Sequence, residues 1–468
     1  MLILGIITAI IIFSIVVLVH EWGHFAAARK FGVRVEEFGL GIPPRARKLF
    51  TDKKGTLFSL NWLPLGGFVK LTGETPHTFL VFDENKKLYN NLDLEKALKE
   101  KKDIFYKSGE KIGTQEKQEI NRLLNENNAS YNLANKSSIE QAIIILAGIF
   151  MNFVLAFFIF FILFLIGIKP IGINTKIETN LELKTIPTLE QAIDSGLIIK
   201  NPGIILSPVA GSTAEKSGIK NGDILYEIAT CNSKMLDFVF CEGKEEAVYH
   251  NIKSNDDIIK IISENAGKDI AFYVNAGFIE NEGIKGYSGG SFIKVSVPSE
   301  GKIGVYLGEN LEINEEYIIK YNLIGSLKYA FLETKNHILL TFKGIGILVK
   351  KIFNPETPIE RQEAIESLSG PIGIVDFINK SLSAGLIFLI VIGAIISINL
   401  GVFNLLPIPA LDGGRFIFIT INGLLRKIFG KKIISGKTEA VIHFSFFVLL
   451  IILSIFIAYN DINKIIAN

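Results

Sequence analysis

Four uncharged stretches, Leu2–Val19, Ala142–Ile168, Ser381–Leu411 and Ala440–Tyr459, dominate the hydropathy pattern of the chain. Each is near or above the roughly 20 apolar residues a helix needs to cross a bilayer. Charged positions collect between them, as in a protein that crosses the membrane several times. The third stretch is longer than a bilayer requires, so part of it should be broken, tilted or dipping, and Gly401, Pro407 and Pro409 mark the expected break. Non-helical backbone at membrane depth is tolerated only when buried in protein or lining a wet cavity. An active site is therefore expected there.

Between these stretches the pattern changes character. Phe38-Gly39-Leu40-Gly41-Ile42-Pro43-Pro44 and the run from Leu57 to Leu71 are short apolar segments punctuated by Gly and Pro, the signature of hairpin strands. A strand edge beside a membrane site can hold an extended chain by strand addition, although a plain structural hairpin fits the same residues. Residues 75–136 are polar, with one helical stretch around Leu92–Lys102, and read as a cytoplasmic insertion or a small, poorly packed module without chemistry. From Val209 to Leu225 a strand, a short Ala-containing helix, a Gly turn and Gly222-Asp223 opening a second strand resemble the core of a PDZ domain. Residues 256–265 read as its second helix and 270–274 as its closing strand. Such domains bind extended chain ends along a sheet edge. Residues 319–366 mix apolar and charged positions and predict an interfacial amphipathic helix leading into the third span.

The expected architecture is a polytopic α-helical membrane protein with four transmembrane helices, a membrane-associated β-hairpin region and an extracytoplasmic PDZ-like α+β domain. Along the chain this gives a first transmembrane helix (1–24), a hairpin region (25–74), the polar insertion (75–136) and a second transmembrane helix (137–169). An outer region (170–318) follows, with one PDZ-like domain at about 196–300, then an interfacial segment (319–380) and the last two spans (381–415 and 437–460).

Composition supports this reading. The 468 residues hold 49 Lys and Arg against 47 Asp and Glu, a net charge of +2 that indicates no nucleic-acid surface. A mean hydropathy of +0.37 is high for a soluble protein. Residues 1–19 lack the basic start and small-residue cleavage site of a signal peptide, so the segment is expected to be retained. Arg29, Lys30, Arg34, Arg45, Arg47 and Lys48 follow the first span, and Arg415, Arg426, Lys427, Lys431 and Lys432 follow the third. Basic loops stay in the cytoplasm, which puts the termini and the region between spans two and three outside. Cys231 and Cys241, both in that outer region, could pair there or remain buried thiols.

The chemistry sits at the end of the first stretch. His20, Glu21 and His24 form an H-E-x-x-H motif. Two histidines four apart share one helix face and can bind one Zn²⁺, while the glutamate reaches the attacking water. Ionisable residues inside a membrane segment mark function, because burying them is costly. A catalytic zinc site needs a third protein ligand. Asp412, followed by Gly413-Gly414 at the end of the third span, is the best candidate, with a helix cap as its alternative role. His443 competes as a ligand, but as a lone polar residue in an apolar span it reads better as a core or interface group.

With these residues in view, the chain resembles the site-2 protease family of intramembrane zinc metalloproteases, in particular the bacterial regulator-of-sigma-E protease branch. The matching pieces are His20-Glu21-Trp22-Gly23-His24, Gly39-Leu40-Gly41, Gly66-Gly67-Phe68-Val69-Lys70, Ala147-Gly148 followed by Asn152, Ser369-Gly370-Pro371-Ile372-Gly373, and Asn399-Leu400-Gly401 running into Asn404 through Gly414. The resemblance implies that His20, His24 and Asp412 hold Zn²⁺, that Glu21 is the general base, and that Asn404 contacts the substrate or the developing oxyanion. It further implies a multi-pass protein of the bacterial inner membrane, with its active site toward the cytoplasm and its PDZ-like domain outside. Single-span membrane proteins, such as an anti-sigma factor or remnant signal peptides, would be the substrates after a first outer cut. Ile149 stands where the family often has proline, and residues 75–136 have no family counterpart. Two other readings are a membrane-anchored zinc protease acting in the cytosol and a non-catalytic scaffold or metal transporter carrying a PDZ domain. The first lacks a downstream third ligand, and the second gives Glu21 no role.

Overall fold

The computed structural model describes residues 2–74, 91–106, 108, 110–175, 177, 179–230, 248–252, 254–275, 277–281, 284–429 and 436–467. The chain divides into two compact units, one of residues Met1–Ile186 and Ile318–Asn468, the other of Pro187–Tyr317.

The first unit opens with α1 (Leu2–Lys30), which keeps its apolar run helical straight through the H-E-x-x-H motif. Gly32, at φ +67°, then turns the chain into β1 (Val35–Thr51) and β2 (Leu57–Leu71). Each strand bends near its prolines, so two strands make a sheet of four ribbons. The first half of β1 lies between both halves of β2, with Phe38 opposite Val69 on one side and Phe58 on the other, while Arg45 to Thr51 form an outer edge against residues 57–61. Phe25, Ala28, Val33, Val35, Phe38 and Leu71 pack together under this sheet. The expected hairpin is present, but it is doubled over on itself.

Residues 91–128 carry α2 (Asn91–Lys99) and α3 (Thr114–Asn128). Leu94, Ala97, Ile104, Ile112 and Leu124 close into a core of their own. The expectation of poor packing is corrected here: the apolar positions are few, yet they share one face. The next helix, α4 (Ser138–Ile166), starts at a capping box in which Ser137 and Glu140 satisfy each other's main-chain N–H. It runs unbroken past Ile149.

In the second unit, α5 (Leu189–Asp194), β3 (Ile198–Pro208), α6 (Thr213–Lys216), β4 (Asp223–Thr230), β5 (Val248–Asn251), α7 (Asn255–Glu264), β6 (Asp269–Val274), β7 (Gly277–Asn281), β8 (Ile284–Ser288), β9 (Ser291–Ser296) and β10 (Val305–Ile313) follow in order. The main sheet runs β10-β3-β4-β6-β9, with β5 also paired to β4. Leu206, Leu225, Ile228, Ile258, Ile270, Phe272 and Val295 fill its core. The strand, short helix and strand expected from Val209 to Leu225 are α6 between β3 and β4, and the second helix is α7. Residues 269–274 do not close the sheet; they lie inside it between β4 and β9, because apolar Ile270, Phe272 and Val274 are buried. The unit begins at Pro187, so residues 170–186 belong with the membrane unit rather than with this domain. Cys231 and Cys241 lie outside the described residues.

The chain returns to the first unit with α8 (Leu323–Phe353), α9 (Pro358–Ser367), α10 (Pro371–Ser381), α11 (Leu386–Leu405), α12 (Asp412–Phe429) and α13 (Gly436–Ala467). Helix α8 is not an ordinary amphipathic surface helix. Ser326, Ala330, Glu333, Thr334 and His337 face inward, while Ile324, Phe331, Leu339 and Phe353 are exposed. Polar-in and apolar-out suits contact with lipid. The long third stretch breaks at residues 406–411, by Pro407 and Pro409; Gly401 instead stays helical and lets Phe153 of α4 pack against its Cα. Among the described residues, four helices are long and apolar enough to span: Ile3–Lys30, Ser138–Ile166, Leu386–Leu405 and Thr438–Ile465. Half of the most apolar window of α11 is buried, whereas that of α13 has no buried residue.

Candidate metal centre

His20 and His24 sit on one face of α1, one turn apart, and both are buried. Their rings meet nearly edge to face, with Nε2 atoms 3.1 Å apart. Asp412, the first residue of α12, places Oδ2 at 2.9 Å from His20 Nε2 and 3.3 Å from His24 Nε2. Zinc bonds of roughly 2.0 Å at tetrahedral angles separate donor atoms by about 3.3 Å. All three edges of this triangle fall at or just inside that spacing. Two imidazole nitrogens and a carboxylate oxygen are also the donor set zinc takes, so the residues fit the metal.

Helix α4 supplies the wall behind the histidines. His24 Nδ1 donates to the Ile144 carbonyl at 2.9 Å, which leaves Nε2 with its lone pair toward Asp412. A Cβ on Gly148 would lie 2.3 Å from His24 Nε2, and one on Gly23 would lie 2.3 Å from the Ala147 carbonyl oxygen. The two glycines let α1 and α4 touch backbone to backbone. Asn152, one turn beyond Gly148, brings Nδ2 to 3.3 Å from His20 Nδ1, and its carbonyl accepts the Ser397 hydroxyl of α11 at 2.9 Å.

The sheet reaches the site as well. Ser14 Oγ donates to the Pro64 carbonyl and accepts from Gly66 N–H, so the bend of β2 lies along α1. Two turns further along α1, the Glu21 carboxylate accepts the Val69 N–H at 3.0 Å. One carboxylate oxygen is thereby anchored.

Asp412 is delivered by the irregular segment 406–411. Cβ atoms on Gly413 and Gly414 would come within 2.2 Å of the Leu406 carbonyl oxygen and 2.4 Å of that of Ile408, so the glycines permit the chain to fold tightly back on itself. Ala410 has φ +84°, a left-handed conformation uncommon for alanine. Its N–H donates to Nδ1 of His443 at 2.8 Å. His443 is thus a brace for the loop, outside the ligand cluster. Asn404 is part-buried on the last turn of α11 and makes no hydrogen bond to His20, Glu21, His24 or Asp412.

Asn152 and Gly148 escaped assignment of a role from sequence, whereas His443 was expected as a core or interface group. A polar residue in an otherwise apolar span and a glycine one helical turn before it were the available signals. The main-chain contributions of Ile144 and Val69 leave no trace in the residue types.

Membrane-length helices, a separate β-rich unit and a His-His-Asp cluster beside a glutamate define a membrane metallopeptidase. The chain matches peptidase family M50 over residues 8–453 and belongs to that family. It is similar to the zinc metalloprotease RasP of Shouchella clausii, at 27% identity over 491 residues covering 97% of this chain and 98% of the relative. It is also similar to the regulator of sigma E protease of Haemophilus influenzae, at 26% identity over 492 residues and 97% of both chains. The protein is a zinc metalloendopeptidase of the site-2 protease type and a bacterial inner-membrane protein.

Proposed function

We propose that the protein cleaves the transmembrane segments of single-span membrane proteins, after their outer portions have been cut, at a zinc site held by His20, His24 and Asp412. The observation that carries this is the triangle of 2.9, 3.1 and 3.3 Å between their donor atoms, built on a helix of membrane-spanning length. Zinc, when bound, supplies Lewis acidity that makes a water nucleophilic and polarises the scissile carbonyl. Glu21, anchored by Val69 N–H, keeps its second oxygen for the proton of the attacking water and later returns that proton to the leaving amine. Asn404 serves the substrate or the developing oxyanion. A helical substrate hides its peptide bonds in its own hydrogen bonds and must unwind first. The Gly67–Val69 edge of β2, which passes Glu21, offers main-chain partners for the unwound strand.

The relative named regulator of sigma E protease supports an anti-sigma factor as one substrate class; remnant signal peptides are another. The basic residues after spans one and three support a site toward the cytoplasm and an outer position for residues 187–317. That unit, with its strand–short helix–strand core and α7, is proposed to be a PDZ-like filter that admits only trimmed substrates.

Glu21→Gln tests the catalytic assignment. The variant should keep its zinc while cleavage of a model transmembrane substrate falls roughly 10²–10⁴-fold. Undiminished cleavage removes Glu21 from the chemistry. Deleting the β-rich unit should relax selection; loss of cleavage of a pre-trimmed substrate would contradict the filter.

A further inference from the structure

The two histidines are oriented by different kinds of partner. His24 Nδ1 faces the Ile144 carbonyl, a main-chain acceptor that cannot turn. His20 Nδ1 faces a side-chain amide, that of Asn152, which is fully buried between α1, α4 and α11. A neutral imidazole that offers Nε2 to a metal carries its proton on Nδ1 and needs an acceptor there. The Asn152 group nearest His20 Nδ1 is Nδ2, itself a donor, while its Oδ1 is buried with no hydrogen-bond partner. An orphaned buried acceptor is destabilising. Turning the amide by half a turn about its last bond brings Oδ1 beside His20 Nδ1, where it gains a donor, and puts Nδ2 where Oδ1 had been, since amide oxygen and nitrogen occupy near-equivalent positions.

We propose that Asn152 is a positioning residue: its amide oxygen accepts the Nδ1–H of His20, fixing the ring and the tautomer that leaves Nε2 free to bind zinc. The Asn152 backbone is held in place by Ser397, whose hydroxyl donates to its carbonyl. Each candidate imidazole then has an acceptor from α4 behind it, one from the main chain at Ile144 and one from a side chain two turns later. Such outer partners set ligand orientation and basicity. The inference rests on the reading of His20 as a ligand.

The experiment compares full-length protein in lipid nanodiscs carrying Asn152→Leu, Asn152→Asp or His20→Ala, with zinc affinity measured by chelator competition. Cobalt-substituted absorption spectra and ¹⁵N resonances of the imidazoles provide readouts that packing alone would not move. Asn152→Leu, near in volume but without an acceptor, should weaken zinc binding by roughly 10–100-fold. It should also remove the Nδ1-protonated signature of His20. Asn152→Asp retains the acceptor and should bind zinc at least as tightly as the wild type. The inference is overturned if Asn152→Leu binds zinc like the wild type, or if Asn152→Asp is as weak as Asn152→Leu, which would make the position one of packing. His20→Ala separates the two levels. If it binds zinc like the wild type, the ligand reading itself fails; if it loses zinc while Asn152→Leu keeps it, only the role of Asn152 falls.

Discussion

Among the described residues, two clusters of acid and histidine in the membrane unit are built to opposite ends. In one, Glu333 and His337 lie a turn apart on α8. The Glu333 carboxylate accepts the main-chain N–H groups of Lys184 and Thr185 at 2.8 and 2.9 Å and the Thr185 hydroxyl at 2.5 Å. His337 Nε2 lies 3.1 Å from the same hydroxyl, and its ring stacks on Phe160 of α4. Each oxygen of the acid has a main-chain donor. In the other cluster, His20, His24 and Asp412 turn three donor atoms toward one another, and among the described residues no main-chain N–H or hydroxyl donates to Asp412. Residue types are nearly the same, although Asp412 is only part-buried where Glu333 is fully enclosed. The first cluster is a saturated lock that ties the 182–185 segment to α8. The second spends its hydrogen bonds behind the rings, at Ile144 and Asn152, and leaves its front to the cation we propose. Outward-facing saturation, rather than the presence of buried His and acid, separates a structural network from a metal site.

Replacing one acid from each cluster gives the largest contrast. Asp412→Ala should empty the zinc site and reduce cleavage by more than the roughly 10–100-fold that loss of an outer partner costs, with thermal unfolding in chelator unchanged. Glu333→Ala should leave one zinc per chain but lower stability by about 3–5 kcal/mol, because it strands buried donors around a broken pair. Metal analysis alongside thermal unfolding decides: a folded Glu333→Ala protein without zinc would erase the distinction. Gly148→Ala sharpens it from the α4 side. Its Cβ falls on His24 Nε2, so overpacking of about 1–3 kcal/mol should register as weaker zinc binding rather than lower stability in chelator. A variant with normal zinc affinity would show that α4 can yield. The smallest effect is expected at His443→Ala, which removes one hydrogen bond to the Ala410 N–H, worth about 1 kcal/mol. Cleavage should fall a few-fold with zinc still bound; complete loss of metal would move His443 into the ligand set.

The pieces legible in the sequence were those with a period or a length. Uncharged runs of membrane-spanning length became helices, and His20, Glu21 and His24 were legible because a four-residue spacing dictates one helix face. Pro407 and Pro409 marked where helix must stop, since proline lacks the N–H a helix needs. Gly401 misled, because a glycine that admits a neighbouring ring reads in sequence like one that breaks a helix. The doubled sheet escaped for a related reason: its pairings join residues up to 36 positions apart, and local alternation does not say how often a strand bends.

What the sequence by itself determined is the set of local conformations and the chemical character of a site: spans, breaks, and a His pair with a glutamate on one helix face. Only the tertiary structure decided which acid completes the cluster, 388 positions after His24, and which buried His–acid pair is saturated. The reason is physical. Local propensity acts over a turn or a pleat, whereas the third donor, the Ile144 carbonyl and the Asn152 amide reach the histidines only because Gly23 and Gly148 let two helices touch and a tight loop carries Asp412 back to them.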